Sequence, residues 1–215
     1  MAEPQWSEHM IARAIAVQLL DKKCVVLVDN CNWTGHECDV LGVTVDLRII
    51  DVEVKISRAD LKADADKSKW WKHLGYQEAI DAKLHTPGEA RWDPWKHRTR
   101  REWPRKVWKH YYAMPKSIWK PELAESLGSS KSGILLLSEG QNDREPPVVV
   151  RCERRATPNR DAERLSPEHV MDVARLANLR MWDAYLREES ARRDLQRFSG
   201  SRVAAAAPAG IPGDW

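Results

Sequence analysis

Asp39, Glu53 and Lys55 are the residues of this chain whose types and spacing could do chemistry. Glu53 and Lys55 stand two apart in a segment where Asp51, Glu53 and Lys55 alternate with Val52, Val54 and Ile56. In a strand, that spacing puts the three charged side chains on one face. Asp39 opens the preceding β-rich segment and approaches the same face if the two segments pair as a hairpin. Two carboxylates and a lysine converging at a strand edge suit metal-assisted phosphodiester hydrolysis. Hard carboxylate oxygens hold one or two Mg2+ or Mn2+ ions, which polarise the phosphate and acidify an attacking water. The lysine orients or deprotonates that water and neutralises charge developing on the phosphate. Glu8 adds a further acidic ligand if its helix packs over the site.

The elements that must position these residues follow from the pattern. Ser7 followed by Ile11, Ala14, Ile15, Val17 and Leu19 predicts an N-capped helix over about 7–20, with Glu8 in its first turn. Cys24–Val28 is a short β-branched run, hence a buried strand, and a polar loop follows from Asn30 to Glu37. Residues 39–56 read as two strands turning near Val45–Arg48, and the charged face of the second is expected to be solvated at Asp51. A proline-free stretch from Asp60, taken as the cap, to about Lys83 predicts a helix. Three prolines and alternating Trp and Arg make about 84–106 an irregular insertion. Strands are predicted at 107–114, 133–137 and 147–151. Ser166-Pro167 then opens a long C-terminal helix, expected to pack behind the sheet. The domain is expected to span 1–198, with a disordered tail over 199–215.

Charge is distributed unevenly. The net charge is +3, yet residues 1–66 carry −5, residues 67–110 carry +7 and the remainder +1. The basic block also holds six of the eleven tryptophans: Trp70, Trp71, Trp92, Trp95, Trp103 and Trp108. Indole faces offer stacking surface for bases and interleaved Lys/Arg offer phosphate contacts, so the block suits a nucleic-acid groove. Lys67, Lys69, Trp70, Trp71, Lys72, Arg98, Arg100 and Arg101, with Arg58 before them, are the candidate DNA contacts. His73, His85, His97 and His110 are expected on the surface or facing DNA.

No segment approaches the ~20 apolar residues of a membrane helix, and the N-terminus lacks the regions of a signal peptide. A soluble protein of the cytoplasm is expected, of a bacterium or a phage-infected host. The four cysteines then make no disulfide framework. Cys31, His36 and Cys38, with Cys24 nearby, have the chemistry of zinc ligands. Their spacing fits no standard finger or ribbon, and Cys24 lies in an apolar strand, so free thiols are the expectation. Gly-rich phosphate loops, GxSxG and HExxH are absent from the sequence.

The segment ECDVLGVTVDLRIIDVEVKISRADLKAD resembles the PD-(D/E)xK nuclease superfamily, with Asp39 at its motif aspartate and Glu53-Val54-Lys55 at its (D/E)xK. More narrowly, EVKISRADLKAD with the later KHYYAMP is similar to the MmcB-like DNA-repair nucleases and their phage relatives. Cys38 stands where the motif proline is expected, and the 84–106 insertion has no counterpart in the shortest relatives. The resemblance implies a restriction-endonuclease-like α/β core of αβββαβ order, with a central mixed sheet flanked by helices. It also implies Mg2+-dependent cleavage of DNA, in repair or phage DNA processing. Asp39, Glu53 and the helix-one Glu8 would be metal ligands and Lys55 the catalytic lysine. Alternatives of another class are a catalytically weak DNA-binding adaptor of the same fold, and an RNA-directed nuclease. A dimer is compatible with this reading.

Overall fold

A computed structural model describes residues 5–86, 93, 96–142 and 145–205, the last eight of these by backbone alone. The chain is α/β, built on a six-stranded mixed sheet with helices on both faces.

Helix α1 (Glu8–Ile15) starts where Ser7 accepts a hydrogen bond from Met10 N at 3.2 Å and buries Ile11, Ala14 and Ile15 on the sheet. Each such buried isoleucine contributes about 1.5–3 kcal/mol. The helix does not run evenly to residue 20, because Ala16–Leu20 widens into a π turn. Strands β1 (Cys24–Cys31), β2 (Cys38–Thr44) and β3 (Ile49–Val54) form an antiparallel meander. The β2–β3 turn closes with Thr44 N donating to Arg48 O, at the expected place.

The predicted helix over 60–83 is replaced by shorter pieces. Ser57, not Asp60, is the cap: its hydroxyl accepts from Asp60 N at 3.1 Å, and α2 spans only Arg58–Asp64. Asp64 then turns its side chain inward, a 3-10 turn follows at Ser68–Trp70, and the aromatic β4 (Trp71–His73) pairs antiparallel with β5 (Arg98–Arg100). Helix α3 (Tyr76–Asp81) lies between them. Part of the 84–106 insertion is therefore the second strand of a ribbon. Trp92 and Trp95 lie outside the described residues.

Strand β6 (Val107–Pro115) returns to the main sheet parallel to β3, and β7 (Gly133–Glu139) lies parallel to β6. β8 (Val148–Arg154) closes the far edge antiparallel, giving the order β1-β2-β3-β6-β7-β8. Helix α4 (Pro167–Ala205) buries Val173 among Val28, Leu41, Val43, Ile49 and Val107 on the face opposite α1. Its backbone stays helical to Ala205, through the first residues of the stretch expected to be disordered; 206–215 are outside the described residues.

β3 sits at the middle of the sheet and every one of its residues is buried. Ile50, Val52 and Val54 face α1. The opposite face carries the charges, and there Leu61, Trp70, Tyr112, Met114, Leu123 and Leu127 form a second layer beside them. The alternation of β3 thus separates an apolar core from a buried polar one, where the pattern alone suggested solvent.

Candidate functional site

The β2–β3 pairing ends at Val40 and Val52. One residue further, the carboxylate of Asp39 takes up the next donor of β3, accepting from Val54 N at 2.6 Å. This contact draws Asp39 beside Glu53 and Lys55, which share the polar face of β3. Burial and then the charge of Glu53 push the Asp39 carboxyl up to about 7; Val54 N and Lys55 oppose the rise, and Glu8 adds to it. Glu8 is exposed on the first turn of α1, near enough for its charge to bear on Asp39.

Glu53 and Lys55 are each only 2 % exposed. Lys55 Nζ donates to Glu53 Oε2 at 3.1 Å and lies 3.4 Å from Asp64 Oδ1 and 3.5 Å from Asp60 Oδ1. Lys69 Nζ is bonded to Glu53 Oε1 and stands 3.1 Å from Asp64 Oδ1. Lys67, half-exposed, lies 3.2 Å from the same Asp64 oxygen and 3.8 Å from Glu53 Oε2. Burial alone would lower the pKa of Lys55, but Glu53, Asp64 and Asp60 outweigh it and hold the ammonium above its ordinary range. Lys69 is raised by the same contest, with Glu53 the largest opposing charge.

Asp64 is fully buried and organises the cluster. Its Oδ2 accepts from Tyr112 OH at 2.5 Å and Trp70 Nε1 at 3.0 Å, while its Oδ1 makes no hydrogen bond and is matched by charge alone. Burial would raise its pKa, but Lys69, Lys55 and the two hydrogen bonds hold it well below the usual carboxylate range. Gly128 N in turn donates to Tyr112 Oη at 3.1 Å. Asp64 and Tyr112 escaped the sequence reading, although the aspartate lies four residues from Asp60 within the motif segment.

Asp51, expected in solvent, is 0 % exposed. His110, expected on the surface, is fully buried, because β6 pairs it in register with Asp51. Burial pushes the His110 imidazole down to about 4, with the Asp51 charge opposing. His36 Nε2 lies 3.0 Å from Asp51 Oδ2 and 3.6 Å from Cys38 Sγ, so these three side chains could hold a metal.

The candidate DNA contacts divide into three groups. Lys69 and Trp70 are buried in the cluster; Trp70 is 0 % exposed and packed edge-on against His110, which corrects the expectation that it stacks on bases. Arg58 spends its guanidinium on Ser117 O and Ile118 O, Arg100 on Gly128 O and Arg101 on Trp71 O, so these arginines brace backbone. On the ribbon, Arg98 stacks 4.0 Å above the Trp71 ring. Exposed Arg98 and Lys72, with Lys67 at the cluster, remain as surface cations.

A solved structure, the SPO1766 protein of unknown function from Silicibacter pomeroyi, is similar over 99% of this chain and 100% of that one, at 17% identity and a TM-score of 0.45. No family model and no curated protein matches the chain. No helix among the described residues is long and apolar enough to cross a membrane.

Proposed function

We propose that the chain is a metal-dependent nuclease of restriction-endonuclease-like fold, acting on DNA. The observation that carries the reading is the Asp39 carboxylate bonded to Val54 N, which joins it to Glu53 and Lys55 at the end of β3. The donor set fits a hard divalent cation: Asp39 and Glu53 offer carboxylate oxygens, and the Asp39 charge is penalised by that of its neighbour, a repulsion a cation would relieve. Asp39 and Glu53 would hold Mg2+ or Mn2+, which would supply an acidified water and polarise the phosphate; Glu8, exposed on α1, is not gathered with them into one ligand group. Lys55, kept protonated by three carboxylates, is no general base; it donates hydrogen bonds and neutralises charge. Lys67 beside it and the Arg98–Trp71 ribbon supply phosphate and stacking contacts. The MmcB-like resemblance points the same way.

A second reading, a DNA-binding adaptor of the same fold, is favoured by the burial of Glu53 and Lys55 beneath Lys69. Cleavage of single-stranded, duplex, branched and RNA substrates with Mg2+, Mn2+ or EDTA separates the two. Metal-dependent cutting of DNA that falls by about 100-fold or more in Lys55→Ala and Asp39→Asn supports the nuclease. Salt-sensitive binding with no cutting supports the adaptor, and preferential cutting of RNA replaces the substrate.

A further inference from the structure

A second polar group lies on the same face of the sheet, toward the β1–β2 loop. His36 Nε2, Cys38 Sγ and one Asp51 oxygen all fall within 4.8 Å of one another. The sulfur-to-nitrogen separation matches a tetrahedral zinc site, and the nitrogen-to-oxygen separation is shorter, at hydrogen-bond distance. Zn–S near 2.3 Å and Zn–N near 2.05 Å place the two ligand atoms about 3.6 Å apart, and N and O ligands about 3.4 Å apart. Here Cys38 Sγ to His36 Nε2 is 3.6 Å, and His36 Nε2 to Asp51 Oδ2 is 3.0 Å.

His110 points independently to a ligand. Its Nε2 is buried, has no hydrogen-bond partner and lies 3.9 Å from Asp51 Oδ2; Asp51 Oδ1 is buried and unpartnered as well. Its other nitrogen, Nδ1, sits 2.9 Å from Ser132 Oγ. A metal-bound histidine anchors its second nitrogen in this way, fixing the ring with a lone pair toward the ion. Thr34 provides a similar outer contact, its hydroxyl 3.4 Å from Cys38 Sγ and 3.1 Å from His36 Nδ1. Orphaned polar atoms in a buried site are costly, and a cation between them removes that cost.

We propose that His36, Cys38 and Asp51 form a zinc site that draws in His110, which lies outside their 4.8 Å group with its Nε2 3.9 Å from Asp51 Oδ2, and so pins the β1–β2 loop to β3 and β6. One sulfur, one imidazole and one carboxylate already select a borderline divalent ion over Mg2+; with the His110 imidazole drawn in, four protein ligands leave no open position, the arrangement of a structural site. Binding displaces the Cys38 thiol proton to solvent. Cys24 and Cys31 take no part: they pack with apolar clusters. The inference is independent of the nuclease reading, because none of its four ligands belongs to the Asp39–Glu53–Lys55 group.

The test uses the full chain, purified without a polyhistidine tag, with zinc measured by elemental mass spectrometry after dialysis. About one Zn2+ per chain is expected, and Lys55→Ala should retain it. His36→Asn, a change in a half-buried loop residue, and Cys38→Ser should each weaken Zn2+ binding at least about 100-fold, more than the ~10–100-fold typical of an outer-shell partner. Circular dichroism checks that the variants remain folded. Co2+ substitution should give a thiolate-to-cobalt charge-transfer band that Cys38→Ser removes. Folded wild-type chain that takes up no Zn2+ after chelator treatment and re-addition overturns the proposal. So does Zn2+ held equally well by His36→Asn and Cys38→Ser, or a Co2+ complex without the thiolate band.

Discussion

Replacing Tyr112 with Phe removes one oxygen and leaves the ring in place between Trp70 and His110, which isolates the contribution of the Asp64 network. Two hydrogen bonds are lost. The Tyr112 hydroxyl donates to the ionised, fully buried Asp64 at 2.5 Å, a charge-assisted bond of about 1.5–3 kcal/mol. It also accepts from Gly128 N at 3.1 Å, and leaving that donor unpaired in a buried place costs about 1–3 kcal/mol. Partial relaxation offsets some of this, so the expected loss is roughly 3 kcal/mol, or about 6–12 °C in Tm for a chain of this size. Urea unfolding followed by tryptophan fluorescence at pH 7.5 measures it. The pH dependence gives a second check. The Asp64 pKa is depressed in the fold, so its stabilisation is present above its ordinary value of 3.8 and is lost as the pH falls through the folded value. The gap between wild type and variant should therefore be constant above about pH 5 and narrow in acid. A loss below about 0.5 kcal/mol at pH 7.5, or a gap that widens in acid, would refute the account.

Three further outcomes are expected. In EDTA, Asp39→Asn should stabilise the protein at pH 8. The folded pKa of Asp39 is raised from 3.8 to about 7, so its ionisation costs stability as the pH rises through that window; removing the charge returns up to about 4 kcal/mol, shrinking toward pH 4, with Tm as the readout. Gly128→Ala should be severely destabilising, by at least about 3 kcal/mol in urea unfolding, because its Cβ would lie 2.0 Å from the buried Trp70 ring. If the ribbon contacts phosphate, Arg98→Ala should weaken DNA binding and reduce the salt slope of log K by about one, measured by fluorescence anisotropy between 50 and 200 mM salt; an unchanged slope would remove the ribbon from the interface.

Local chemistry carried the legible part of the fold. β-rich residues from Asp39 to Ile56, alternating with period two over Asp51–Ile56, place a hairpin there, and aromatic and apolar runs mark the strands expected at 107–114 and 133–137, which extend to Pro115 and Glu139. The helix expected over 60–83 failed because composition could not register that Asp64 is turned inward to meet Tyr112, forty-eight residues away, or that Trp71 pairs with Arg100. Long-range partners override helix propensity at such points.

The sequence by itself determined which side chains could do chemistry and on which face of β3 they lie, since a two-residue period is a property of the backbone. Whether that face meets water was a tertiary decision. Parallel pairing of β6 sets His110 beside Asp51 and Tyr112 beside Glu53, and the turn at 68–70 brings Lys69 and Trp70 onto the cluster. Residues that composition assigns to a solvated, nucleic-acid-facing surface thereby become buried polar groups and counter-charges. The physical reason is that a carboxylate withdrawn from water requires compensation nearby, and only the folded chain brings distant donors and cations close enough to supply it.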